Sequence, residues 1–197
     1  KGMEIPEVEH FVVDPVQSTT KVIQRKVQIS KVLVALAMAH SKLSAVESLR
    51  ASEPSLRWRA NYDLMSAQLF AYRVRLFEYL IALDQFGKNM PRLIPRANPP
   101  HNRWEIRHGS NKLIMPDTVQ ERAFGVTAGQ LREFHRNALK QLVAVREEHA
   151  GTPWANRAQW EEGRRFGATF RSWYQAPPRP RPRPTKPRPK PIPVPNL

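Results

Sequence analysis

A continuous apolar pattern from Leu56 to Phe86 constrains the fold of this chain more than any other feature. Large apolar side chains recur there at steps of three and four residues, which is the spacing of one face of an α-helix. The stripe comprises Trp58, Tyr62, Met65, Leu69, Tyr72, Leu76, Leu80 and Leu83, and it is widened by Phe70, Val74, Phe77 and Ile81. A stripe of this width predicts a long helix that is buried on more than one side and ends at Gly87.

A second long helix is predicted immediately before the first. From Ser18 to Leu49, apolar residues again follow steps of three and four, and they include Val22, Ile23, Val27, Ile29, Val32, Leu33 and Leu36. Ser18 or Thr19 can cap the start of this helix, and Pro54 marks its end. The connection between the two patterns is short, so the sequence predicts that the two long helices are antiparallel neighbours.

A shorter helical hairpin is predicted further along the chain. One helix runs from Thr127 to His149, and the next runs from Pro153 to Gly167. Thr152 is placed to cap the second helix, Pro153 suits its first turn, and Trp154 is expected to face back onto the first helix. The hairpin resembles a tetratricopeptide-type unit, although the chain has no clean period of about 34 residues.

These segments predict an all-α fold in three parts. Residues 1–17 form an extended linker, residues 18–175 form a helical interaction domain, and residues 176–197 form a basic tail rich in proline and arginine. Inside the domain, residues 88–125 contain five prolines that interrupt the helical pattern. Within this Pro-rich loop, Trp104–Ile106 and Leu113–Ile114 are candidate strands of a short hairpin.

Several side chains are predicted to stabilise this fold. Trp58, Tyr62 and Tyr72 share helical spacing with Leu and Met residues, which predicts that these aromatic side chains lie in the core. They are therefore not expected to be platforms on which nucleic-acid bases stack. Arg73 and Arg75 lie among large apolar residues in the middle of the long helix. At least one of them is therefore expected to pair with an acidic residue or a backbone carbonyl near the Pro-rich loop.

The composition excludes several kinds of chemistry. No cysteine is present, which rules out disulfides, Cys-ligated metals and thiol catalysis. The histidines lack the paired spacing of a metal site, and the carboxylates are spread over Arg-rich helices, where ion pairing is their expected role. Serine nucleophile motifs and phosphate-binding glycine loops are absent. The sequence therefore predicts a protein that is not an enzyme and uses no metal or cofactor.

Charge is concentrated in the tail. The chain has 32 Lys and Arg against 17 Asp and Glu, a net charge of +15 that favours acidic partners. Ten prolines after Ala176 predict an extended polyproline II arm. The residues expected to bind a partner are its cations and its apolar end, namely Arg179, Arg181, Arg183, Lys186, Arg188, Lys190, Ile192, Val194 and Leu197.

Three stretches carry a resemblance to a known family. They are Arg57–Leu64 (RWRANYDL), Ala71–Phe77 (AYRVRLF) and Glu148–Ala155 (EHAGTPWA). They resemble the helical region that follows the von Willebrand factor A domain in a group of bacterial proteins. The resemblance covers residues 52–173 and implies that residues 1–15 are the junction with such a domain. The DxSxS-type metal motif of that domain is absent from this chain, so no metal ligands carry over.

These observations favour a non-catalytic protein–protein interaction or scaffold module that belongs to a larger assembly. The alternative is a nucleic-acid-binding protein that uses charge, although the sequence predicts no helix with a base-reading face. The longest apolar run, Val32–Ala39, is too short to span a bilayer. The chain begins on Lys1 without a signal-peptide pattern, so a targeting segment before it is expected to be missing; cytoplasm and export both stay open.

Overall fold

The sheet shows that the predicted all-α class is wrong. The computed structural model describes residues 8–89 and 98–177. Three of its elements are strands that form one antiparallel sheet in the order β1-β2-β3, so the fold is mixed α and β with helices predominating. In chain order the elements are β1 Val8–Phe11, α1 Pro15–Ser44, α2 Glu47–Ser52, α3 Leu56–Asn89, β2 Arg103–Ser110, α4 Thr118–Phe124, α5 Ala128–Glu148, α6 Pro153–Gly163 and β3 Gly167–Trp173.

The central strand β2 joins two distant segments of the chain. Phe11 of β1 lies opposite Trp104, and Phe170 of β3 lies opposite Ile106. Because facing residues of an antiparallel pair project from the same side of a sheet, these aromatic and aliphatic side chains form one apolar face. Phe11, Trp104 and Ile106 are buried there against the C-terminal half of α3 and the first half of α1.

Because of the sheet, three segments differ from their sequence-based predictions. Residues 1–17 are not a linker throughout, because β1 and the first turn of α1 lie among them. The Pro-rich loop of residues 88–125 contains β2 and α4. The short hairpin is also wrong. Trp104–Ile106 do form part of a strand, but this strand pairs with β1 and β3 and not with Leu113–Ile114.

The predicted fourth helix is shorter than expected because the chain turns sharply into β3. The helix ends at Gly163, and Arg165 then adopts a positive φ of 58°. At Gly167 a side chain would overlap the carbonyl oxygen of Lys112. Only glycine allows so close an approach of two backbone segments, so the start of β3 is fixed where a helical pattern predicts one more turn.

The long helices and the hairpin lie near their predicted positions, but three predicted ends are wrong. The cap of α1 is not Ser18 or Thr19, α1 ends at Ser44 well before Pro54, and α3 continues past Gly87 to Asn89. Asp14 caps α1 by accepting hydrogen bonds from the N–H groups of Val16 and Gln17. The tyrosine hydroxyl of Tyr62 donates to the carbonyl oxygen of Leu43, which fixes the end of α1 beside the start of α3. Thr152 caps α6 and Pro153 occupies its first turn, as predicted. Likeness of the α5–α6 hairpin to a tetratricopeptide unit stays a prediction.

Two apolar clusters meet on α3. The first joins its N-terminal and middle parts to α5 and α6, through Leu64, Ala67, Ala71, Leu142 and Ala158 among others. The second joins its C-terminal half to α1 and the sheet, through Leu76, Leu80, Leu83, Val22 and Ile106 among others. Helix α3 is therefore the central element of the fold. Among the described residues, no helix is both long and apolar enough to cross a membrane.

Candidate interaction surface

Helix α1 exposes a row of large aliphatic side chains on the side that faces away from α3. We call this row the α1 stripe. Its members are between 51% and 76% exposed, and each successive pair is separated by seven or four positions. At about 100° per residue, these steps place all five members within about 60° of the helix circumference. They are Val16, Ile23, Val27, Val34 and Met38.

The members of the α1 stripe are uncharged, and the exposed Lys31 is the cation that borders its sector. Thr20, Ser30 and Ser41 lie in or beside the same sector of the helix and are exposed. Helix α1 contains no acidic residue. Of its cations, Lys21 pairs with Glu9, and Lys26 pairs with Asp84 across the α1–α3 contact. The opposite side of α1 is apolar too and packs on α3, so the helix has two apolar sides, one covered by α3 and one left largely exposed by the described residues.

Trp58 is 64% exposed, and its predicted place in the core is therefore wrong. The reason is the length of α1, whose last turn lies beside Tyr62. Trp58 is one turn further towards the start of α3, beyond the end of α1. Helix α2 does not cover Trp58. Its Arg50 pairs with Asp63, which lies five residues after Trp58 and therefore on another side of α3. Leu49, Leu56 and Met65 are also exposed at this end of the helix pair.

A buried ion pair joins α3 to α6. The guanidinium Nη1 of Arg75 lies 2.6 Å from Oε2 of Glu161, and its Nε donates to the carbonyl oxygen of Arg165 at 2.9 Å. The second carboxylate oxygen of Glu161 accepts from the hydroxyl of Tyr72 and from Arg157. Burial by itself raises the pKa of Glu161, but Arg75 and these hydrogen bonds outweigh burial and lower it. The predicted pairing of Arg75 is thus real, but its partners are in and after α6 and not in the Pro-rich loop.

A second buried carboxylate, Glu78, holds the backbone of two other segments. It accepts hydrogen bonds from the N–H groups of Ile114, at 2.9 Å, and Ala168, at 3.3 Å. Burial raises the pKa of Glu78 to about 7, and the two backbone hydrogen bonds only partly offset this effect. Glu78 therefore positions β3 and the segment after β2 on α3.

His108 occupies the same buried region in its neutral form. Neither ring nitrogen has a hydrogen-bond partner among the described residues. Burial, and then the charges of Arg75 and Arg164, lower the pKa of His108 to about 4. The ring packs edge-on against Tyr79, with 4.9 Å between ring centroids. This environment suits an uncharged packing residue.

One group of side chains has the composition of a metal site. Ligand atoms of Asp63, Glu148 and His149 lie within 4.8 Å of one another. The guanidinium of Arg50 lies between the two carboxylates, with Nη2 2.7 Å from Oδ2 of Asp63 and 2.5 Å from Oε2 of Glu148. Arg50 therefore already supplies the cation that this group needs.

The cleft beside this group does not favour acid–base catalysis. It has a volume of about 500 Å³ and is lined by His40, Ser66 and Gln141 in addition to the ion-paired residues. Burial raises the pKa of Asp63, but hydrogen bonds from Arg50 and His149 outweigh burial and lower it. A carboxylate held in its ionised form by an arginine is a poor general acid and a weak base at neutral pH. The cleft therefore supports a structural interpretation.

The remaining residues singled out in the sequence are distributed over the fold. Arg73 lies over the ring of Phe134 in α5, with its guanidinium carbon 4.3 Å from the ring centroid. Trp154 is half-buried against the first apolar cluster and is not fully enclosed. All nine tail residues predicted to bind a partner lie outside the described residues, so their role stays a prediction.

The α1 stripe was not predicted as a surface, although a signal for it exists in the sequence. The sequence pattern places Ile23 and Val27 in the same apolar series as Val22 and Ile29. Plotted at about 100° per residue, the two pairs fall on opposite sides of the helix. The sequence predicts only one helix packed against α1, namely α3. A helix with two apolar sides and one such neighbour is expected to expose its other side.

Comparisons with known proteins provide no identification. Neither the protein-family models, nor the curated proteins, nor the solved structures contain a match to this chain. The surfaces and side-chain clusters described above are therefore what bears on the function of this protein.

Proposed function

We propose that this protein is a non-catalytic protein–protein interaction module and that the α1 stripe is its principal contact surface. The observation that supports this proposal is the uncharged row from Val16 to Met38, in which every large aliphatic side chain is more than half exposed. A row of large exposed aliphatic side chains along one side of a helix is a candidate contact site.

The buried polar groups support the same interpretation. Glu161, Glu78 and Asp63 each bind a neighbouring side chain or backbone segment of the fold. These carboxylates thereby hold α6, β3 and α2 in place around α3. Helix α1 packs on the α3 that these groups anchor, so its exposed side is presented at a fixed orientation, which lowers the entropic cost of binding.

Photo-cross-linking tests this proposal directly. A photoreactive amino acid at Val34 lies in the stripe, whereas the same group at Gln28 lies on α1 about 120° away and is the matched control. In native extract, the Val34 variant should give a discrete cross-linked species that disappears when Val27 is also changed to Lys. Equal labelling from both positions, or labelling that is insensitive to Val27→Lys, would contradict the proposal.

The basic tail is proposed as a separate contact for an acidic partner. Its six cations have no acidic neighbours in the sequence after Ala176. Deletion of residues 177–197 should leave the melting temperature nearly unchanged and weaken binding to an acidic partner protein. A large loss of stability with unchanged binding would show that the tail belongs to the fold instead.

Nucleic-acid binding is the second candidate function, and the net charge of +15 favours it. Binding of this kind weakens steeply with added salt, because counterions released from the phosphates drive association. Titration with duplex and single-stranded DNA and RNA measures it. Affinity no tighter than about 10⁻⁴ M at physiological salt would eliminate this candidate.

A further inference from the structure

When Ala45 is added to the α1 stripe, the spacing is the same read in either direction. From Val16 the exposed apolar positions follow steps of seven, four, seven and four, and one further step of seven reaches Ala45, which caps the helix and is also exposed. The series seven, four, seven, four, seven is symmetric about a point between Ser30 and Lys31. A surface that is symmetric about its own centre can face an inverted copy of itself.

We propose that the α1 stripe binds a second copy of this chain, with the two α1 helices antiparallel and related by a two-fold axis between Ser30 and Lys31. This inference rests on the proposed function and names its partner. In this arrangement Ile23 lies opposite Met38 of the other copy, and Val27 lies opposite Val34. Each large side chain thus meets another apolar one, while Val16 meets the small side chain of Ala45.

The repeat of the stripe also favours two nearly straight helices. Val16, Val27 and Met38 are separated by eleven residues, as are Ile23, Val34 and Ala45. Eleven residues in three turns correspond to about 3.67 residues per turn, close to the value of an undistorted helix. The stripe consequently stays on one side along the whole of α1, and both ends can be in contact at once.

The size and charge of the surface predict a weak dimer. A face about 45 Å long and about 10 Å wide buries about 900 Å² in total, which is below the range of about 1,200–2,000 Å² for stable complexes. The two copies of Lys31 would also lie close together beside the axis, and like charges repel. Dimerisation should therefore depend on concentration and become stronger as salt screens this repulsion.

Single cysteines test the antiparallel register, since the chain has none of its own. Ser30→Cys lies next to the axis and should form a disulfide-linked dimer with itself under mild oxidation. Thr20→Cys and Ser41→Cys should cross-link with each other when mixed, and neither should cross-link with itself. Self-linking of both of the latter variants would indicate parallel helices and overturn the proposal. Gln28→Cys, outside the stripe, is the control for random collisions.

Sedimentation of the full chain tests the dimer without cross-links. Wild type should form a reversible dimer that strengthens with salt, and Val27→Lys with Val34→Lys should lose at least tenfold in affinity while keeping its melting temperature. A wild-type monomer up to millimolar concentration would overturn the dimer. If the Val34 cross-link in extract still appeared, the partner would be a different protein and the proposed function would survive. Binding of the monomer to anionic phosphatidylserine vesicles through the stripe would overturn both.

Discussion

The two halves of α3 carry the same apolar pattern, yet they differ sharply in burial. From Val74 to Asp84 every residue is buried, including the charged Arg75, Glu78 and Asp84. From Leu56 to Phe70 only Ala60, Leu64 and Ala67 are buried, whereas Trp58 is mostly exposed. The difference shows that neighbours decide burial: the C-terminal half is surrounded by α1, the sheet and α6, and the N-terminal half extends past the end of α1.

The largest effect is expected in the enclosed half, from removal of one partner of its ion pair. Glu161→Ala leaves the guanidinium of Arg75, which is 4% exposed, without its carboxylate. An unpaired buried charge typically costs about 4 kcal/mol of unfolding free energy. Urea unfolding monitored by circular dichroism measures this loss. The double variant Arg75→Met with Glu161→Met should recover much of it; a single variant as stable as wild type would show that the pair is dispensable.

The next effect concerns apolar packing in the same half. Leu83 is fully buried between the sheet and α1. Leu83→Ala should therefore cost about 3 kcal/mol, since it removes apolar contacts and leaves a cavity. Thermal and urea unfolding should agree on the size of the loss. A value below about 1 kcal/mol would imply that the second apolar cluster is loosely packed.

An effect of similar size depends on pH and on Glu78. Its pKa is raised from 4.5 to about 7 in the folded protein. Between these two values the folded state holds a proton that the unfolded state has lost, so this group makes the protein less stable as pH rises from about 4.5 to about 7. At about 1.4 kcal/mol for each pH unit between the two pKa values, the change is of order 3 kcal/mol. Glu78→Gln should flatten this part of the stability profile, and an unchanged profile would mean that Glu78 titrates normally.

The smallest effect on stability is expected at Trp58, in the open half of α3. Because its indole is 64% exposed, Trp58→Ala should change the unfolding free energy by less than about 0.5 kcal/mol. The same experiment at Leu83 is the matched comparison. A loss of more than about 2 kcal/mol at Trp58 would show that the indole packs against the fold in solution and that the two halves are alike.

Helices were predictable from the sequence because their signals are local. The apolar spacing located both long helices, and Thr152 with Pro153 located the start of α6. Strands β1 and β3 are not predicted, and β2 is predicted only in part and with the wrong partner, for the opposite reason. β1 has only four residues, and its partner β2 lies in a segment rich in proline. Such strands are stabilised by packing against strands that are distant in sequence, and a local residue pattern does not predict them reliably.

The candidate surface was only partly predictable. The lack of catalytic motifs predicts an interaction module whose contact residues lie in the tail, and this prediction concerns residues outside the described part of the chain. The exposure of Trp58 depends on where α1 ends, and the partner of Arg75 depends on how α6 packs. Both features depend on tertiary packing, and residue spacing along α3 does not predict them.

The position of β2 between β1 and β3 bears on the order of folding. Pairing of Val8 with Arg107 and of Arg103 with Trp173 joins parts of the chain that are far apart in sequence. Closing such large loops is slow, whereas the contacts between α5 and α6 form within one short hairpin. The helical part should consequently assemble first and the sheet last. During that interval the apolar side of α3 that later covers Trp104 and Ile106 is open to solvent, so the slowest step of folding is also the one most exposed to aggregation.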